Sequence, residues 1–112
     1  MTFKVPWEAI TDYRPGYGEE MAHEAKVEIG PAHPLAGRRL VTLARRGDRN
    51  EILFELDGGP KVAVVRLTRS GFRERTGIPH TQTFRSLDDF LKTKMEADRI
   101  EFANDGASDE PE

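Results

Sequence analysis

The residues of this chain that could do chemistry are concentrated in one basic stretch. Twelve of its seventeen basic residues are arginine, and ten of these lie between Arg38 and Arg85. Guanidinium groups pair with carboxylates and phosphates in a bidentate geometry and stack on planar groups. The densest cluster gives the candidate binding residues, which are Arg66, Arg69, Arg73, Arg75, His80 and Arg85.

Arg66 allows two interpretations, because it interrupts an otherwise apolar strand and therefore needs a partner. The first is an internal salt bridge to Glu55 or Asp57, which a hairpin would place nearby. The second is that the whole arginine cluster lines a basic pocket where this strand ends. The pattern favours the salt bridge, and the pocket is kept as the alternative.

Charge is segregated along the chain although the net charge is only −3. Residues 1–37 carry three basic and six acidic groups, residues 38–85 eleven and five, and residues 86–112 three and nine. Acidic helices packed beside a basic sheet would compensate each other, whereas an exposed basic face would bind anions. Dedicated nucleic-acid domains are normally basic overall, so nucleic acid is the less favoured partner.

Catalytic and metal-binding patterns are missing from the sequence. Cysteine does not occur, which excludes thiolate chemistry and disulfides. The three histidines have no metal-ligand spacing, Ser70 is not surrounded by G-x-S-x-G, and Ser86 suits a helix cap. We therefore predict no catalytic residue, no metal and no cofactor, and keep a small hydrolase using His33 or His80 as an alternative.

The elements that must position the arginines come from a block of three strands between Arg38 and Thr68. The first, about 39–45, is expected to place Val41 and Leu43 opposite Leu40, Thr42 and Ala44. The second alternates over 51–57, and Asp57-Gly-Gly-Pro60 predicts a hairpin. The third, 62–68, is apolar on both faces, so it should lie inside a sheet that is covered on both sides.

Helices are predicted on either side of this block. Met21, Ala25 and Ile29 form a thin apolar stripe over 18–29. After a loop at 72–80 and a short fourth strand at 81–85, Ser86 caps a second helix that runs to about Ala97. We expect both helices to cover one face of the sheet, Ile100 and Phe102 to pack onto the body, and the spacing of Trp7, Ile10 and Tyr13 to form a short helical turn.

The predicted fold class is α+β, a three- to four-stranded antiparallel meander sheet with an amphipathic helix before and after it. Residues 1–103 are expected to form a single domain and 104–112 a disordered acidic tail. No apolar run is long enough for a membrane span or a signal peptide, so we expect a cytoplasmic protein without membrane contact.

Four motifs in this order carry a family resemblance, and they are His33-Pro-Leu-Ala-Gly37, Ile52-Leu-Phe-Glu-Leu56, Val64-Val-Arg-Leu-Thr-Arg-Ser-Gly71 and Ser86-Leu-Asp-Asp-Phe90. Over about residues 20–100 the chain resembles a group of small uncharacterised bacterial proteins. Arg66 stands where their pattern has His, and Arg69 where it has Trp. The resemblance implies an α+β outline in a bacterial cytoplasmic protein, and it implies no activity.

Three functional hypotheses remain. The favoured one is a small non-enzymatic binding or interaction protein with a protein partner. The second is a binder of an anionic ligand or nucleic acid through residues 38–85. The third is the small hydrolase mentioned above.

Overall fold

The computed structural model of the chain describes residues 3–31, 33–68 and 80–108, with side chains up to residue 104. The fold is α+β, with one antiparallel sheet in the order β1-β2-β3-β4-β5. Its strands are β1 (Glu8–Ala9), β2 (Leu40–Arg46), β3 (Glu51–Leu56), β4 (Val62–Arg66) and β5 (Thr81–Phe84). Helix α1 (Tyr17–Glu28) precedes β2. After β5 come α2 (Leu87–Phe90), a π-helical turn (Leu91–Met95) and α3 (Glu96–Ser108), which form one continuous helical segment.

The sheet has one strand more than the sequence predicts. Glu8 and Ala9 pair with Arg45 and Ala44 at the end of β2. The expected helical turn over Trp7, Ile10 and Tyr13 is found only in part, because Glu8–Ala9 is extended and a 3-10 turn covers Ile10–Asp12 alone. Trp7 itself is almost completely buried. Its burial against the sheet, not helical periodicity, determines the local conformation.

The two helical segments cover opposite faces of the sheet, so the expectation that both cover one face is wrong. Met21 and Ala25 of α1 pack with Ala63 and Val65 of β4. Phe90 and Met95 pack with Val62 and Val64 on the other face. The apolar pattern on both faces of β4 correctly predicted an interior strand that is covered on both sides. The middle strand of the five is β3, and β4 lies next to it.

A β-bulge in β2 overturns the predicted alternation of that strand. Thr42 pairs with Phe54, but Ala44 and not Leu43 pairs with the next residue, Leu53. Leu40 therefore packs on the α1 side, whereas Leu43 and Ala44 both lie on the α2 side. One extra residue shifts the period-two pattern by one position, and the sequence carries no clear signal for it.

The predicted cap of the second helix is confirmed, because the backbone N–H of Asp89 donates to Ser86 Oγ at 3.1 Å. Ile100 and Phe102 do not pack onto the body, since 48% and 42% of their surface is exposed. Helix α3 runs to Ser108, into the segment 104–112 for which we predict disorder. The predicted loop at 72–80 lies outside the described residues except for His80.

Candidate anion-binding site

Arg66 and His80 border a pocket of about 340 Å³ near the β5 edge of the sheet. We call it the Arg66 pocket, and its lining comes from three adjacent strands: Glu51, Val64, Arg66, His80, Thr81 and Gln82. Glu51 pairs with Arg66, and Val64 with Gln82. Because side chains alternate along each strand, these four side chains share the face that α2 covers further along.

The Arg66 side chain forms an ion pair, as the favoured interpretation predicts, but with a different acid. Its Nη2 atom lies 3.8 Å from Oε2 of Glu51. Glu55 instead pairs with Val62, and Asp57 accepts from the backbone N–H of Arg39 at 2.8 Å. The hairpin register therefore selects Glu51. The guanidinium makes no hydrogen bond to another described residue, and half of the side-chain surface is exposed.

Glu51 connects the pocket to a buried ion network formed by Arg46, Glu51, Lys94 and Asp98. Lys94 Nζ lies 3.4 Å from Glu51 Oε1 and 3.1 Å from Asp98 Oδ2. Arg46 Nη1 lies 3.1 Å from Asp98 Oδ1, and the indole N–H of Trp7 donates to Asp98 Oδ2 at 2.8 Å. The network ties α3 and the N-terminal segment to the sheet.

Arg46 is the most buried cation of this network, with 1% of its side-chain surface exposed. Its Nε donates to Asp48 Oδ1 at 2.8 Å. This hydrogen bond lowers the pKa of the Asp48 carboxyl below its ordinary value. Sequence reasoning missed Arg46 as a core residue, and the one signal for the network was the i, i+4 spacing of Lys94 and Asp98, which pair with each other.

The structure separates Arg85 from the other candidate residues. Thr81 pairs with Val65 near the Arg66 end of β4, whereas Phe84 pairs with Val62 at the opposite end. Four residues of strand span about 14 Å. Arg85 is 90% exposed and lies 3.8 Å from Asp89. Of the candidate residues in the described part of the chain, Arg66 and His80 come together and Arg85 does not. Arg69, Arg73 and Arg75 lie outside the described residues.

Other arginines of the basic stretch also have acidic or aromatic neighbours. Arg49 lies 2.8 Å from Glu101, and Arg38 pairs with Asp57. Arg45 lies over the rings of Tyr13 and Tyr17, which stack with their centroids 4.6 Å apart. On the described surface, charge compensation therefore accounts for much of the segregation seen in the sequence.

His33 is buried, and both of its ring nitrogens contact other residues of the fold. Its Nδ1 accepts from the backbone N–H of Leu35 at 3.0 Å, and its Nε2 lies 3.0 Å from Thr81 Oγ1. The Leu35 bond places the proton of the neutral ring on Nε2. In this tautomer His33 donates to Thr81 and does not act as its base. No group of three metal-ligating side chains occurs among the described residues.

Comparison with family models, curated proteins and solved structures gives no match to this chain. Among the described helices, none has the length and apolarity that crossing a bilayer requires.

Proposed function

We propose that this protein is a non-enzymatic binding protein that recognises an anionic group of a protein partner in the Arg66 pocket. The observation that carries the proposal is the state of the Arg66 guanidinium, which is half exposed and has an ion-pair neighbour but no described hydrogen-bond acceptor. Its N–H donors are available to a carboxylate of the partner. His80 and Gln82, both exposed, supply further polar groups at the pocket.

The local ion pairs support binding of a single anionic group at Arg66. Glu51 is shared between Arg66 and Lys94, so it compensates the Arg66 charge only in part, whereas Lys94 also pairs with Asp98. A nucleic acid instead needs a basic stripe that follows its backbone. Arg46, Arg49 and Arg85 each lie within 4.0 Å of a carboxylate and do not supply such a stripe.

The test is an NMR titration of the full chain with glutarate and, in a second arm, inorganic phosphate. We expect glutarate to shift the amide signals of Glu51, Arg66 and Gln82. Arg66→Gln should weaken binding at least tenfold. Arg85→Gln is the matched control, because it removes the same charge at the far end of β5, and it should leave binding unchanged.

Three outcomes would contradict the proposal. The first is the absence of glutarate-dependent shifts at these amides in the wild-type protein. The second is an equal loss in the Arg66 and Arg85 variants, which would indicate non-specific attraction. The third is a loss of stability in Arg66→Gln with binding intact, which would make the Glu51 pair purely structural. Stronger binding of phosphate than of glutarate would indicate that the partner's anionic group is a phosphate and not a carboxylate.

A further inference from the structure

The opposite edge of the sheet has a stretch without a strand neighbour, because β1 covers only part of β2. Leu40 and Thr42 in this stretch are 6% and 8% exposed, so little of their surface reaches solvent. Glu8 and Ala9 pair with Arg45 and Ala44, and the chain then leaves the edge in the 3-10 turn at Ile10. Residues 40–42 of β2 consequently have a strand neighbour on the β3 side only.

The register shows which backbone groups face this open edge. The N–H of Asp57 donates to the carbonyl of Arg39 at 2.8 Å, so Arg39 and Val41 direct their backbone groups towards β3. Leu40 and Thr42 must then direct their N–H and C=O groups outward. None of these four groups is hydrogen-bonded to a residue in the described part of the chain.

A groove of about 430 Å³ lies along these groups, between β2, the 10–16 segment and the first turns of α1. We call it the β2-edge groove. Thr42 Oγ1 donates to the carbonyl of Gly18 at 2.6 Å, and a Cβ on Gly18 would lie 3.2 Å from Ile10 Cγ1. This close approach brings α1 against β2. The volume falls within the range of about 300 to 1,000 Å³ that is usual for ligand sites.

The lining of the groove indicates the chemistry of its occupant. Its walls include Ile10, Ala22, Leu40 and Val41. Arg14 at the groove is already held by Glu20 through two hydrogen bonds of 2.7 Å. The exposed Glu19 carboxylate also lines the groove. The groove therefore offers apolar walls, backbone donors and acceptors and one carboxylate, but no available cation.

We propose that the β2-edge groove binds a short, extended peptide segment without acidic side chains, which pairs with Leu40 and Thr42 and places an apolar side chain beside Ala22. Backbone pairing supplies the hydrogen bonds, and the apolar walls select the side chain. The peptide continues the line of β1 along the same edge. This site is independent of the Arg66 pocket, which lies at the β5 edge.

The experiment is an NMR titration of the full chain with the probe acetyl-Ser-Val-Leu-Ser-amide. We expect the amide signals of Leu40 and Thr42 to shift. The same peptide with N-methylated Val and Leu should bind at least tenfold more weakly, because it cannot donate to the strand edge. Ala22→Leu fills the groove and should abolish binding, whereas His23→Leu, at the exposed neighbouring position, should retain it.

Val41→Glu is a second variant that does not depend on repacking, since Val41 is 42% exposed. It should also weaken binding at least tenfold by placing a charge at the edge. Absence of shifts at Leu40 and Thr42 up to millimolar peptide would overturn the proposal, as would equal binding of the N-methylated peptide. Concentration-dependent shifts of these amides without peptide would assign the edge to a second copy of the chain and also overturn it.

Discussion

Arg46 is almost completely buried, although arginine side chains are rarely buried in proteins. Its side chain lies between Asp48 and Asp98 beneath α3. A buried cation in this position is tolerated because Asp48 accepts hydrogen bonds from its Nε and Nη2 atoms. The Asp98 carboxylate lies 3.1 Å from its Nη1 atom, which makes an ion pair but no hydrogen bond to a described residue. Removal of Arg46 leaves Asp98 buried with less compensation.

We predict that Arg46→Met lowers the free energy of unfolding by about 3 to 5 kcal/mol, the usual cost of removing one partner of a buried ion pair. Urea unfolding measures this, and Trp7 is a suitable fluorescence probe because it is the single tryptophan and is buried. Arg99→Met is the control, since Arg99 pairs with Glu96 near the surface and should change stability little. If Arg46→Met leaves the free energy of unfolding unchanged, the ion network does not anchor α3.

At the scale of elements, the C-terminal helical segment depends on its first turn. The Asp89 N–H donates to Ser86 Oγ, and Asp88 and Asp89 lie in the first turn, where negative charge is favoured. The helix must begin at this point if Phe90 is to reach Trp7, whose ring lies edge-on at 5.1 Å.

We predict that Ser86→Ala destabilises the protein by about 1 kcal/mol, because an N–H at the helix start loses its acceptor. Ser86→Asp preserves an acceptor and should lie within a few tenths of a kcal/mol of the wild type. Thermal and urea unfolding of the three proteins under the same conditions test this. Equal loss in both variants would mean that the hydroxyl does something other than cap.

At the scale of the whole molecule, several paired carboxylates have lowered pKa values. Asp57 accepts from the backbone N–H of Arg39 and pairs with Arg38, and both interactions lower the pKa of its carboxyl. Asp48 beside Arg46 and Glu20 beside Arg14 are shifted in the same direction.

These shifts predict acid lability. A carboxyl with a lower pKa in the folded state binds protons more readily when unfolded, so it stabilises the fold above its ordinary pKa of about 4. This stability is lost as the pH falls through the lower folded value. We expect the melting temperature to fall between about pH 5 and pH 2, and Asp57→Asn to fall less steeply. A wild-type curve that is flat over this range would contradict the prediction.

The sequence predicts the α+β class, the two-sided burial of β4 and the Ser86 cap because each depends on local periodicity or on a short motif. It does not predict β1, since two residues carry no period, or the bulge at Leu43, since one extra residue leaves the apolar composition unchanged. For the candidate site it identifies that Arg66 needs an acid. It does not identify Glu51, because that choice depends on the register of the hairpin.

The π-helical turn at Leu91–Met95 has a consequence for changes in chain length. It lets Phe90 and Met95, five residues apart, both reach the same apolar cluster, and the Thr93 hydroxyl donates to the carbonyl of Asp89 at 2.6 Å. A π turn holds one residue more than the α-helix needs. Deletion of the exposed Thr93 should therefore leave a regular helix with Asp98 still beside Arg46.

Deletion of Ala97 should behave differently, because it rotates the rest of α3 by about 100° relative to the sheet. Comparison of the melting temperatures of the two deletion variants checks this, and equal losses would contradict it. A deletion in the π-helical turn therefore keeps the same face of α3 directed towards the sheet. Natural length variation within the helix should be concentrated at this turn.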